Sequence, residues 1–406
     1  MTNKRLLQIN VSANAGSTGK IAEQIGIAAM QSGFESYLAY GKRANPSKSE
    51  LIRIGSKYDL YNHGIQSRLF DKHGLASKKA TRDFLKRVDE IKPTIIHLHN
   101  IHDYYLNYPL LFEYLRERKI PIIWTLHDCW PFTGHCAHFD FLRCEKWKNH
   151  CEKCPGLRTY PKALLFDRTF KNYEAKKQAF TSVEENLVLV PVSYWIEGFV
   201  RESFLGKAKT RTIHNGIDID VFKPETEVSK IRNKYEIRQE KKIVLGVAAP
   251  WSERKGLNDF HRLREILGEE YLIFLVGLSD EQIKGLPEGV VGINRTENQK
   301  ELAGLYSLAD VFANPTYEDN YPTTNIEALA CGCPIVVYNT GGAPEAVTQE
   351  TGFVVEQGNI GAFAEAIKKL TDRGKDVRGK CREWALENCD SNIINQQYIE
   401  LYNSLL

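Results

Sequence analysis

One strand–loop–helix–strand unit constrains what this chain can fold into. The run from Pro315 to Glu345 reads PTYEDNYPTTNIEALACGCPIVVYNTGGAPE, and Val311 and Phe312 end a short apolar strand just before it. A helix is expected to start near Pro322 or Thr323, since proline presets the first-turn φ, with Asn320 or Thr323 as its cap. Ile326, Leu329 and Ala330 recur at helical spacing, and Cys331-Gly332 stops the helix. Pro334 to Tyr338 is a β-branched strand, closed by Thr340-Gly341-Gly342. The unit gathers Glu318, Asp319 and Glu327 around the open amides of a helix start, where the N–H groups and the dipole favour an anion. Dipole effects alone also place acids at helix starts, and Glu327 by itself reads equally well as a solvated helix residue.

A chain of 406 residues is too long for one ordinary core and suits two α/β domains. No apolar run approaches the ~20 residues of a membrane span, and the N-terminus lacks a signal-peptide core, so a cytoplasmic location is expected. The net charge of +3 is unevenly spread. Residues 1–210 carry 32 Lys and Arg against 21 Asp and Glu, whereas the remainder carries 22 against 30. A basic half suggests an anionic partner: nucleic acid, an anionic membrane or a lipid phosphate. A solvated basic helix face around Lys78 to Lys92 accounts for the same excess.

Leu6 to Val11 reads as a strand, followed by a turn over Ser12–Gly19 and a helix that buries Ile21, Ile25, Ala28 and Ala29. Ser36 to Tyr40 completes an opening βαβ unit, whose ligand crevice lies at the carboxyl ends of the strands. Gly16-Ser17-Thr18-Gly19-Lys20 is not a P-loop, because Asn14 stands where the first glycine is needed and Ile21 where Ser or Thr should bind magnesium. Its glycines instead let the chain approach a ligand or the facing domain. Thr94–Leu98 and Pro121–Leu126 are further strands, ending in the polar clusters His97-Leu98-His99-Asn100-Ile101-His102-Asp103 and Thr125-Leu126-His127-Asp128. Alternation puts His97 and His99 on one face, where hydrogen bonding explains the pair more simply than a metal. Leu187–Val192 and Arg211–Ile213 close the first sheet. Ile243–Val247, Tyr271–Gly277 and Val290–Arg295 belong to the second.

Five of the nine cysteines fall between Cys129 and Cys154. Cys136, Cys144, Cys151 and Cys154 form a C-x7-C-x6-C-x2-C array that can supply a tetrahedral, structural zinc site, with His135, His138 and His150 as competing ligands. Free thiols are the alternative.

Asp319, seven residues, Glu327, then Ala-Leu-Ala-Cys-Gly-Cys-Pro, a strand and Gly-Gly-Ala-Pro-Glu closely resembles the donor-site segment of retaining glycosyltransferases of family 4, which have the GT-B fold. His214-Asn215-Gly216-Ile217-Asp218 is similar to that family's interdomain signature, and Lys255-Gly256 to its helix-start Lys-Gly. The resemblance implies an α/β chain of two Rossmann-like doubly wound domains with a cleft between them. Residues 1–220 would be the acceptor side, with the cysteine insertion at 129–155; 221–390 would bind a nucleotide sugar; and a helix at 391–406 would cross back. It further implies that Glu327 holds the ribose hydroxyls, and that Lys255 and the amides around Thr323 and Thr324 take the diphosphate. Asp319 or Glu318 would bind the transferred sugar, since the family's first acid is either replaced by Asp319 or displaced to Glu318. Asn320 and Gly16 would line the donor, with the base near Ile293–Arg295, which brings in Arg295. The family's Arg five residues before the lysine is Pro250 here, which leaves Arg254 as the second cation. His127 would stand beside the reacting centre, with His99 and Asp128 on the acceptor side. No cofactor is required for the transfer.

The expected partners are a nucleotide-sugar donor and a glycan or lipid-diphosphate-linked acceptor, in cell-surface polysaccharide assembly at the inner face of the cytoplasmic membrane. The basic run Arg68, Lys72, Lys78, Lys79, Arg82, Lys86, Arg87 and Lys92 is interleaved with Leu69, Phe70, Leu75, Phe84 and Leu85, which would suit an anionic lipid surface if exposed. Two other readings remain: an inactive nucleotide-sugar-binding protein, given the Asp319 shift and Pro250, and a nucleic-acid-binding protein. The second lacks the aromatic-and-basic motif of a known reader fold.

Overall fold

The computed structural model describes residues 4–225, 228–374 and 376–406. The chain divides into two compact units, one of Met1–His214 with Asn395–Leu406 and one of Asn215–Ile394. Each is built on a wholly parallel sheet covered by helices, as β-branched runs separated by helical segments demand.

The first unit contains β1 (Arg5–Ala13), β2 (Glu35–Ala44), β3 (Glu50–Arg53), β4 (Ile95–Leu98), β5 (Ile122–Leu126), β6 (Leu187–Pro191) and β7 (Lys209–Thr210). They run in the order β3-β2-β1-β4-β5-β6-β7. All residues of β4, β5 and β6 are buried, so these strands carry mostly apolar residues on both faces, with His97 and Thr125 as the buried polar exceptions. The second unit contains β8 (Lys242–Val247), β9 (Tyr271–Val276), β10 (Val290–Ile293), β11 (Val311–Asn314), β12 (Ile335–Tyr338) and β13 (Gly352–Val355), in the order β10-β9-β8-β11-β12-β13. Strand order reverses between β1 and β4 in one sheet and between β8 and β11 in the other. At those two points neighbouring loops diverge and leave room for a ligand.

Several sequence expectations are corrected. The paired strand near 211–213 is β7, although Arg211 N–H and Ile213 N–H still donate to Leu189 O and Pro191 O at 3.0 and 3.1 Å. Strands β3 and β13 escape the sequence reading because each is only four residues long with two partly exposed or exposed central residues. The first helix, Gly16–Gln31, takes in the glycine segment that reads as a turn. The basic helix Lys78–Ile91 buries Ala80, Phe84, Val88 and Ile91. Phe84 therefore faces the core and is not available to a lipid surface, so that helix shows solvent a mostly charged face with Leu85 partly exposed beside it.

The last helix, Ser391–Leu405, supplies Tyr398 and Tyr402 to the first unit's core. Tyr402 Oη lies 2.7 Å from His97 Nδ1, and His97 Nε2 lies 2.8 Å from Thr125 Oγ1, which also meets Tyr398 Oη at 3.2 Å. Both nitrogens of the buried His97 are thus satisfied by neutral partners, as hydrogen bonding rather than metal binding requires. Burial, helped by the His127 charge, lowers the His97 pKa to about 3, and burial lowers that of His63 to about 4. Both folded values lie below the ordinary histidine value, so between roughly pH 6.5 and pH 4 the unfolded chain binds more protons. Stability is therefore expected to be full above about pH 6.5 and to fall as the pH drops towards 4. Urea midpoints measured at pH 7 and pH 4.5 check this, and equal midpoints contradict it.

Candidate functional site

At the reversal point of the second sheet, the loop after β8 meets the loop after β11. Gly256 makes the meeting possible: its φ is +77°, and a Cβ there would fall 2.1 Å from the Pro315 carbonyl oxygen. Tyr317 N–H donates to Arg254 O at 2.8 Å, and the Arg254 guanidinium donates to the Glu318 carbonyl. The neighbouring Lys255 ammonium forms an ion pair with Asp319, both side chains being about one-fifth exposed. Asn320 N–H donates to Asp319 Oδ1 at 3.0 Å, so the carboxylate is held from two sides. A second glycine closes the loop from above. Gly341 has φ +58°, a Cβ on it would lie 1.9 Å from Asp319 O, and Gly342 N–H donates to that same oxygen at 3.0 Å.

The helix Thr323–Ala330 begins directly after this loop. Its N-cap is Pro322, and no side chain caps it, so neither Asn320 nor Thr323 plays the capping part expected from sequence. Thr323 and Thr324 are half-buried at its first turn. Glu327, one turn on, is half-buried and accepts from Tyr306 Oη at 3.1 Å. At the other end, Arg382 donates to Ala330 O at 2.9 Å and to Phe222 O at 2.8 Å, closing the helix with a cation. Asn325 is fully buried; its amide meets Asn314 across the end of β11 at 2.8 Å and donates to Ala343 O at 3.3 Å. Sequence reading missed that strut, since nothing in a lone Asn marks it as internal.

The two candidate acids stand differently. Glu318 is fully buried and Asp319 is not, so the adjacent carboxylates differ in access. Arg254 and Lys255 come together with Asp319, and with Asn320, Thr323, Thr324 and Glu327 they line one end of the second sheet. Arg295 is exposed just past the end of β10, at the far edge of that sheet.

In the first unit, Gly16 opens its helix at φ +69°, and a Cβ on it would meet open space for 4 Å around. His99 and His127 stack with ring centroids 5.4 Å apart, His99 Nδ1 lying 3.2 Å from His127 Nε2. His99 is buried and its Nε2 meets Gln8 Oε1 at 3.0 Å, so it backs His127, which is half-buried. Burial depresses the His127 pKa to about 4, which keeps the ring neutral near pH 7. Asp128 pairs with His102 at 2.8 Å, and His102 Nδ1 lies 3.1 Å from Tyr160 Oη. Burial works to raise the Asp128 pKa, but the His102 charge and hydrogen bond outweigh it and hold it at about 2. In the sequence His102 stands only as one member of the polar cluster that follows β4, and nothing marks Tyr160. The Lys176 ammonium, buried and donating to Trp130 O at 2.7 Å and Thr133 O at 3.0 Å, is another hidden member of this region.

The four thiols of the insertion line one small space with Phe139 and Trp147. Cys136 Sγ and Cys154 Sγ are 3.4 Å apart, and their hydrogen bond raises the Cys136 pKa and lowers that of Cys154 to about 7. Among the described residues, no group of three or more His, Cys, Asp or Glu side chains is placed to hold a metal ion. His135 lines the same space as the thiols and its Nδ1 meets Asp71 Oδ1 at 2.7 Å, while His150 Nδ1 pairs with Glu174 at 3.2 Å.

Two family models match the chain: Glycosyltransferase Family 4 over residues 20–221 and Glycosyl transferases group 1 over residues 227–386. A putative colanic acid biosynthesis glycosyl transferase of Escherichia coli is 26% identical over 374 residues, covering 87% of this chain and 88% of that protein. The N,N'-diacetylbacillosaminyl-diphospho-undecaprenol alpha-1,3-N-acetylgalactosaminyltransferase of Campylobacter jejuni is 29% identical over 222 residues, 51% of this chain and 58% of that one. Among solved structures, Anabaena HepE in complex with UDP superposes with a TM-score of 0.67 at 15% identity, covering 99% of this chain and all of that one. With both parallel sheets and a family model on each half, the chain belongs to the family 4 type of glycosyltransferases, with the GT-B fold.

Proposed function

We propose that this glycosyltransferase moves a sugar, with retention of anomeric configuration, from a nucleoside diphosphate sugar to a hydroxyl of a glycan or lipid-diphosphate-linked acceptor, in the assembly of a cell-surface polysaccharide. The observation that carries the proposal is the Lys255–Asp319 pair at the reversal point of the second sheet, beside a helix start that no side chain caps. Before a donor binds, Asp319 holds the ammonium in place. An arriving diphosphate presents a denser negative charge to Lys255 and the first-turn amides, and Asp319 is released towards the sugar hydroxyls. As the glycosidic bond breaks, charge grows on the leaving diphosphate, where Lys255, Arg254 and the helix dipole stabilise it without a metal. Glu327, one turn along the helix, suits a ribose diol, since a carboxylate accepts from two adjacent hydroxyls. His127, neutral near pH 7, suits a hydrogen bond to the transferred sugar. Asp128, held ionised by His102, suits an acceptor hydroxyl. The E. coli relative's part in colanic acid biosynthesis and the C. jejuni relative's diphospho-undecaprenol substrate support the polymer and lipid-linked classes. The UDP complex of the Anabaena protein supports a nucleotide donor.

The four insertion thiols are proposed to hold one structural zinc. A tetrahedral thiolate site has edges of about 3.8 Å, for Zn–S bonds of about 2.3 Å. The 3.4 Å Cys136–Cys154 separation and the one space that all four thiols line support this. Four thiolates leave no open position, so such a metal would shape the insertion and take no part in transfer.

Lys255→Ala is expected to weaken binding of the nucleoside diphosphate by roughly ten- to a hundredfold, as loss of a charge-assisted contact implies, and to abolish transfer with the fold intact. Glu327→Ala is expected to act likewise on nucleotides carrying ribose. Calorimetric titration with UDP and GDP checks both, and wild-type affinity and turnover in a folded Lys255→Ala protein refute the site. Protein purified under reducing conditions without chelators is expected to contain about one zinc per chain, and chelation to lower its melting temperature. Elemental analysis that finds no zinc removes the metal proposal and leaves the transferase reading untouched.

A further inference from the structure

The segment after the cysteine insertion carries apolar side chains on the outside of a well-anchored loop. Leu164, Leu165, Phe166 and Phe170 are 45%, 66%, 54% and 53% exposed, and Phe70, at the end of the helix Lys57–Phe70, is 38% exposed. Such a cluster, unlike scattered single residues, marks an interaction surface. The loop is pinned from beneath. Leu164 N–H donates to Arg68 O at 2.7 Å, Arg168 N–H to Asp71 Oδ2 at 2.9 Å, and Cys154 N–H to Asp167 Oδ2 at 2.8 Å. Phe166 stacks on Phe70 with centroids 5.7 Å apart. The apolar chains are therefore held outward by structure.

The charge around them is mostly positive, with exposed Glu174 paired to His150. Between Arg158 and Tyr173 the sequence has Arg158, Lys162, Arg168 and Lys171 against the single acid Asp167. The Asp167 carboxylate is occupied with the loop's own donors, accepting from Thr169 N–H at 2.9 Å as well as from Cys154. Lys72 lies 5.7 Å from the Phe70 ring, and together with Arg168 and Lys171 it lines an open groove floored by Phe70, Phe166 and Phe170. A two-fold contact with a second copy would set these cations against themselves. A surface that is apolar beneath and negative on top satisfies both features: phenylalanines enter the acyl boundary while lysines reach the headgroup phosphates.

We infer that this face, made by residues 158–171 and the end of the helix Lys57–Phe70, docks the first unit on an anionic lipid surface. It rests on the reading that the acceptor is lipid-linked, and it replaces the basic helix Lys78–Ile91 as the contact. Among the described residues no helix is long and apolar enough to cross a membrane, so this contact would be peripheral.

The test uses the full chain and sedimentation with vesicles of phosphatidylcholine containing increasing phosphatidylglycerol. Wild-type protein is expected to sediment only with the anionic vesicles and to be released by salt. The double variant Leu165→Ser/Phe166→Ser is expected to lose at least about tenfold in partitioning, and Lys162→Glu/Lys171→Glu to lose a comparable factor that vanishes at high salt. Melting temperature and the thermal shift produced by UDP or GDP are read on the same samples, so that misfolding and failure of the donor site are scored separately. Wild-type protein that stays in the supernatant at low salt overturns the inference. So does wild-type partitioning by a folded double variant, or a concentration-dependent dimer that the double variant abolishes in the absence of vesicle binding. Vesicle binding lost in the variants, with no nucleotide response in any sample, upholds the docking face and removes the donor-site reading instead.

Discussion

The close approach of Gly256 to the Pro315 carbonyl is the constraint on which the ligand-facing end of the second unit depends. With a Cβ 2.1 Å from that oxygen, one of the two loops would have to move. The ammonium of Lys255, one residue earlier, would then no longer meet Asp319. The positive φ at Gly256 also lets the short turn Glu253–Lys255 run straight into the helix Leu257–Ile266. Gly341 repeats the device on the opposite side of Asp319. Two glycines without side chains thus place one carboxylate, and the carboxylate places the lysine. Rigid support of this kind fixes the Lys255–Asp319 pair before any ligand arrives, which would spare the ordering cost of the proposed diphosphate binding.

The first unit solves a different problem, which is to keep polar rings in a dry interior. His97, His99 and His127 lie in sequence across the ends of β4 and β5, and the buried nitrogens of His97 and His99 all have neutral hydrogen-bond partners. Burial disfavours the imidazolium, so the row stays neutral and does not bring charges of one sign together. Asp128 is the exception: it keeps its charge because His102 and the Trp130 amide both donate to it. A neutral ring and an ionised acid side by side form a polar surface suited to hydroxyl groups. Behind it, Asp71 accepts from His135, Arg168 and Asn172, tying the cysteine insertion, the exposed loop and the helix Thr169–Thr181 to a single buried carboxylate.

The local units were legible in the sequence wherever pattern and punctuation agreed. The helix from Thr323 follows from Pro322 and from Ile326 and Leu329, the strand β12 from its β-branched run, and the hydrogen-bonded His97 from the alternation that sets it on one face with His99. Lys255 and Glu327 stood out through motif spacing. By contrast, the basic run at 68–92 looked like one lipid-facing surface. A list of lysines and phenylalanines does not say which way a helix turns, and packing against the sheet rotated Phe84 inward.

The sequence by itself therefore determined two parallel α/β halves and the strand–loop–helix–strand unit that carries Asp319 and Glu327, because these depend on local periodicity, proline and glycine. Only the tertiary structure decided that Asp319 rather than Glu318 reaches Lys255, and that His102 and Tyr160 join Asp128. It alone also showed that Leu165 and Phe166 remain outside while Phe84 does not. Each of these is a relation between residues distant in the chain or a choice of face, and both are fixed by which surfaces the folded core excludes from water.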